Sequence, residues 1–148
     1  MITRLAVLVA MLVVAACNTT ATPTATPFSA CALVANMDEL VGKTVVGPPG
    51  AFTLNDVNRC IWTYATDPSR WVTVSVADNS AHGGAIDAFG DGESIEGLGD
   101  DARWWAANDI LSVARPEFAL QVDLELDEGD GTKELAVAIA QAALANLP

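Results

Sequence analysis

The chain has 148 residues, 51% of them hydrophobic, and its 19 acidic and 7 basic residues give a formal net charge of −12. So acidic a surface is repelled by nucleic acid and by anionic lipid headgroups, which argues against either as a partner of the folded surface. The simplest reading of the charge is solubility, with a cationic partner as the sharper alternative.

Residues 1–16 are predicted to be a signal peptide. Arg4 supplies a basic start, and twelve apolar residues, Leu5–Ala16, follow it. A helix crossing a bilayer needs about 20, so this run has the length of a signal core rather than a span. Val14-Ala15-Ala16 then precede Cys17. That ending resembles the bacterial lipoprotein signal, in which an aliphatic residue and two small ones stand before an invariant cysteine. The resemblance implies cleavage before Cys17 and acyl chains on its thiol and amine, and so a lipid anchor in the membrane, on its extracytoplasmic side. Two alternatives stay open: secretion after a cut at Ala16, or an uncleaved anchor. Loss of Arg4 would take the net charge from −12 to −13.

Residues 17–29 are read as the lipidated cysteine and a linker. Asn18–Ser29 is nearly all Thr, Ala and Pro, a composition that buries no apolar surface and has no reason to fold. At about 3 Å per residue it would hold a domain up to ~35 Å from the membrane.

Residues 30–148 are read as one domain. "NMDELVG" predicts a short helix, capped by Asn36, with Glu39 completing a capping box and Gly42 as the stop. "KTVVGPPGAF" reads as a loop or short edge strand, because its prolines and glycines break anything longer. In "RCIWTYAT", Cys60, Trp62 and Tyr64 alternate with Ile61 and Thr63, a strand pattern. A turn at Asp67-Pro68-Ser69 leads to "RWVTVSVA", with Val72, Val74 and Val76 on one face and Trp71, Thr73 and Ser75 on the other.

"NSAHGGAIDAFGDGESIEG" is ambiguous. Ala85, Ile86 and Phe89 would line one side of a short helix that Gly83-Gly84 weaken. "LGDDARWWAAND" leads into a third strand, on which Trp104 and Trp105 point to opposite faces. "ILSVA", a turn at Arg115-Pro116-Glu117 and "FALQVDLEL" form a second hairpin. In its last strand Phe118, Leu120, Val122, Leu124 and Leu126 face in, while Ala119, Gln121, Asp123 and Glu125 face out. "TKELAVAIAQAALANL" is the clearest helix, with Thr132 at its cap and Leu135, Ile139, Ala142 and Leu147 at helical spacing. Strands joined by turns make an antiparallel sheet. The expected fold is therefore α+β, an antiparallel sheet of about five strands with helices packed on one face.

A cysteine before a short helix, "CIW" on the next strand, "GLGDDARWW" and an alanine-rich closing helix together resemble small bacterial envelope lipoprotein domains. Some of these are similar to the extracellular sensor domains of receptor kinases. The likeness covers about residues 30–147 and implies the same α+β fold and a Cys31–Cys60 bridge. Cysteine arithmetic is compatible with it: with Cys17 lipidated, Cys31 and Cys60 remain as a pair in an oxidising compartment, two buried free thiols being the alternative. The resemblance brings no catalytic residue.

Enzymatic signatures are sparse. His82 is the one histidine, without zinc-ligand spacing or a nucleophile elbow around a serine, and it reads as a loop residue. No phosphate-binding glycine motif occurs, so no cofactor is expected. The stretch from Asp87 places acids where a calcium loop wants its first, fifth and seventh ligands, but Phe89 and Leu98 occupy two other ligand positions.

The reading is a non-enzymatic lipoprotein domain, held to the bilayer through Cys17, that binds an unknown protein, glycan or small ligand. An accessory subunit of an envelope complex and a carboxylate-dependent hydrolase are the alternatives. The candidate binding face bears Trp71, Thr73, Ser75, Trp105, Gln121 and Asp123, where tryptophans beside hydroxyls, an amide and a carboxylate suit a sugar ring or a peptide. The competing reading has Trp71 filling space beneath residues 43–55.

Overall fold

A computed structural model of the chain describes residues 29–64, 67–78 and 91–147. The signal segment, Cys17, the linker before Ser29, His82, the ambiguous helix of residues 79–90 and Asp87 all lie outside the described residues.

A 3₁₀ turn, Ala30–Ala32, and a one-turn helix α1, Met37–Val41, open the domain. The strands are β1 Gly50–Leu54, β2 Val57–Tyr64, β3 Asp67–Asp78, β4 Glu93–Ser94, β5 Asp101–Trp105, β6 Ile110–Ala114 and β7 Phe118–Glu125. Helix α2, Lys133–Ala145, follows them. All strand pairs are antiparallel, in the order β1-β2-β3-β7-β6-β5-β4. The chain thus lays down β1–β3, steps away to β4–β6 and returns through β7 to pair with β3 at the sheet's centre.

The sheet has seven strands rather than about five. The additional two, β1 and β4, are its edges, and every residue in them is exposed. With neither face buried, they carry no alternation of apolar and polar residues.

Register explains the core. Cys60, Val74, Val122, Leu111 and Trp104 stand side by side across five strands. Directly opposed residues share a face, and all of these are buried. The next rows on the same face add Trp62, Val72 and Leu124, then Val76, Leu120, Val113 and Ala102. Helix α2 lays Ala136, Ile139, Ala140 and Ala143 on this layer. The three alanines let the helix backbone approach the sheet closely. Leu33, Val34 and Met37 seal the remaining edge.

The Cys31–Cys60 disulfide ties the N-terminal turn to the centre of β2 across 29 residues of chain. Just after α2, Asn146 Nδ2 donates to the Leu33 carbonyl at 3.0 Å, tying the last helix to the same N-terminal segment.

Caps behave unequally. Thr132 Oγ1 accepts from the Leu135 amide at 3.2 Å, the expected N-cap of α2. Asn36 makes no side-chain cap bond, because its backbone (φ −111°, ψ 38°) lies outside the extended geometry that aims a cap. Gly42 does close α1, in the left-handed conformation at φ 70°.

Candidate functional site

The second face of the sheet carries the other half of each alternation. One row runs Ile61, Thr73, Asp123, Ile110, Trp105, and the next runs Arg59, Ser75, Gln121, Ser112, Arg103. Trp71, opposite Glu125 and Thr63, lies one row further along.

Half of this face is closed. Ile110, Ser112 and Trp105 are about 5% exposed. Trp104 and Trp105 do point to opposite faces. Trp104 joins the core, whereas Trp105 is buried against the backbone of Gly92, where an added Cβ would fall 2.7 Å from the indole ring. Trp105 therefore does not line the open part of the face. Its neighbour requires glycine because any side chain would displace the ring.

The other half, over β1, β2, β3 and β7, is a cavity of about 230 Å³. Trp71, Thr73 and Ser75 come from β3, and Gln121 and Asp123 from β7. These five candidate residues from the sequence are brought together. Strand β2 contributes Arg59 and Ile61, and β1 contributes Phe52, which is 41% exposed and stands opposite Arg59. Residues 50–54 extend the sheet as β1 instead of crossing above Trp71, so the indole remains half-buried at the cavity wall.

Arg59, Ile61 and Phe52 were not among the sequence candidates. The signal for the first two was present. In "RCIWTYAT" the residues out of phase with Cys60 and Trp62 must share the face of Trp71 and Thr73.

Two groups give the cavity its electrostatics. The Arg59 Nε is buried and has no hydrogen-bond partner. Asp123 is half-buried, and its carboxyl is raised to about 6. Loss of solvent is the main cause, and Glu125 and Asp109 add to it while Arg59 opposes it. A half-buried carboxylate with a raised affinity for protons, facing the same cavity as a guanidinium whose buried Nε has no partner, marks a candidate binding site.

Other, more open depressions lie elsewhere among the described residues, one of them larger at about 310 Å³. One, beside Ser29 and Ala30, shares Phe52 and Arg59 with the site. The other, around Met37, Val45 and Trp62, opens between α1 and residues 44–49. Among the described residues no group of three or more His, Cys, Asp or Glu is placed to hold a metal ion, and no helix is long and apolar enough to cross a membrane.

The chain matches no family model, no curated protein and no solved structure.

Proposed function

We propose that this protein is an extracytoplasmic lipoprotein, anchored in the cell membrane through acylated Cys17, whose domain binds a ligand or partner without catalysing a reaction. The anchor rests on Val14-Ala15-Ala16-Cys17 and on the Thr/Pro/Ala linker after it. A disulfide in so small a domain is in keeping with an oxidising compartment.

One observation carries the binding reading: the cavity has Trp71 and Phe52 in its lining together with an Arg59 Nε without a partner and a half-buried Asp123. Structure alone does not reward such groups, since each costs stability until something pairs with it. A hydrolase has less support. Asp123 and Glu125 sit two apart on one strand and face the same way, whereas glycoside hydrolysis wants carboxyls on either side of the scissile bond. An accessory subunit would use the same face to hold its partner.

Full-length protein isolated from membranes in detergent tests both halves. Intact mass should place the mature N-terminus at an acylated Cys17, and an unmodified Cys17 removes the anchor. Trp71→Ala should leave the melting temperature nearly unchanged and abolish the co-purifying ligand or stoichiometric partner. Loss of about 3 kcal/mol of stability would instead mark Trp71 as structural.

A further inference from the structure

Among the described residues six side chains are basic, in a chain with 19 acids. Lys43 and Lys133 each reach a carboxylate at 2.7 Å. Arg70 and Arg103 do so at 3.2 and 3.3 Å. Arg115 lies over the Phe118 ring, 6.0 Å from its centroid. Arg59 alone of the six has neither an ion pair nor a ring contact, and its buried Nε has no partner.

Asp123 is the complement. The charge of Arg59 reaches it, yet no hydrogen bond contributes to its proton affinity. Glu125 and Asp109 are the other charges acting on it, and both are negative. The cavity therefore has an acidic end around Asp123 and a cationic end at Arg59.

Register sets their separation. Arg59 is level with Ser75 and Gln121, and Asp123 is level with Thr73 and Ile61. They are two strands apart and offset by two residues, which places their Cα atoms about 12 Å from each other. The long arginine side chain spans part of that, and a molecule a few atoms wide fills the rest.

We propose that this cavity binds a small zwitterion of the α-amino-acid class, with its carboxylate on Arg59, its ammonium on Asp123 and its side chain against Trp71. The proposal rests on the binding reading above and names its ligand class. A simple anion would satisfy Arg59 and be repelled by Asp123, Asp109 and Glu125. A simple cation would be repelled by the Arg59 guanidinium. A neutral sugar would bury a carboxylate and a guanidinium without a counter-charge, which is the costly arrangement. The room of about 230 Å³ equals about eight waters at ~30 Å³ each, enough for a free amino acid.

The experiment is equilibrium dialysis of the full-length protein in detergent against an equimolar mixture of the common L-α-amino acids, with the retained species identified by mass. One or a few should be retained near one per protein. For a retained amino acid, the N-acetyl derivative lacks the ammonium and the carboxamide lacks the carboxylate. Each should bind at least about tenfold more weakly, the loss of one charge-assisted contact. In Arg59→Gln the carboxamide should bind as well as the parent, and in Asp123→Asn the N-acetyl form should. If either variant fails to fold, by melting temperature, the derivative series on the unaltered protein decides. Retention of no amino acid at millimolar concentration overturns the proposal, as does binding of either derivative as tight as that of the parent amino acid. Retention of a neutral disaccharide in a Trp71-dependent manner also overturns it, while leaving the face a binding site.

Discussion

Asp123→Asn should stabilise the protein at neutral pH. The carboxylate is half-buried on the open face, and its carboxyl is raised from 3.8 to about 6. Two pKa units correspond to a ceiling of about 3 kcal/mol. Solvent reaches part of the group and screens it, so the working figure is about 1–2 kcal/mol. The sign follows from proton binding. Between pH 4 and 6 the folded state holds this proton more firmly than the unfolded chain, so stability falls as pH rises through that window and the penalty is complete above it. Asparagine carries no charge at any pH and escapes the penalty. Urea unfolding of both proteins at pH 7.5 and pH 4 should show a gain for the variant at the higher pH that vanishes at the lower. A variant equal to or weaker than the parent at pH 7.5 would refute the reasoning, and so would a gain that persists at pH 4. Lost ligand together with gained stability is the mark of a group kept for binding.

Four further outcomes are expected. Reduction of Cys31–Cys60, which closes 29 residues of chain, should remove roughly 3–4 kcal/mol and lower the melting temperature by roughly 10–20 °C; unchanged melting with both thiols alkylated defeats this. Tyr64→Phe should raise stability by about 1 kcal/mol, because the Tyr64 hydroxyl is buried without a partner; a measured loss would show that it is bonded. Gly99→Ala should cost roughly 1–3 kcal/mol, since Gly99 has φ 80° and an added Cβ would meet the Ala114 carbonyl oxygen at 2.7 Å; a neutral result would mean that the loop relaxes freely. Cys17→Ser should abolish palmitate incorporation and move the protein out of the membrane fraction, and a variant still labelled would place the lipid elsewhere.

Most of the sheet was legible because burial writes alternation into a strand. β2, β3 and β7 each have one face in the core, and Cys60, Trp62 and Tyr64, Val72, Val74 and Val76, and Leu120, Val122 and Leu124 fall at every second position. Helix α2 was legible from Thr132 and its helical spacing, but its buried stripe is Ala136, Ile139, Ala140 and Ala143, shared with the expected Leu135, Ile139, Ala142 and Leu147 only at Ile139. Strand β1 was harder, because all of its residues are exposed. Its evidence lies in the turn: Asn55 and Asp56 adopt φ 50° and 62°, the left-handed pair of a two-residue hairpin, for which Asn and Asp are suited. The fate of Trp105 was not legible. Alternation assigns its face, but its burial depends on Gly92, thirteen positions away, lying flat against the ring.

The candidate site was half legible for a related reason. Period two places Arg59 on the face of Trp71 and Thr73, but nothing in a sequence says which of many charges goes without a partner. That depends on distances between strands far apart in the chain. The same strand supplies the rigidity that a binding site needs. Cys60 points into the core and is bridged to Cys31, so β2 is held covalently at the residue between Arg59 and Ile61. β3 and β7 are held behind Thr73, Ser75, Gln121 and Asp123 by Val72, Val74, Val76, Leu120, Val122 and Leu124, none more than 6% exposed. Each residue of the cavity on β2, β3 and β7 thus neighbours one that cannot move without opening the core. An unpaired guanidinium on a mobile loop would turn to water, whereas Arg59 projects from a strand pinned from behind.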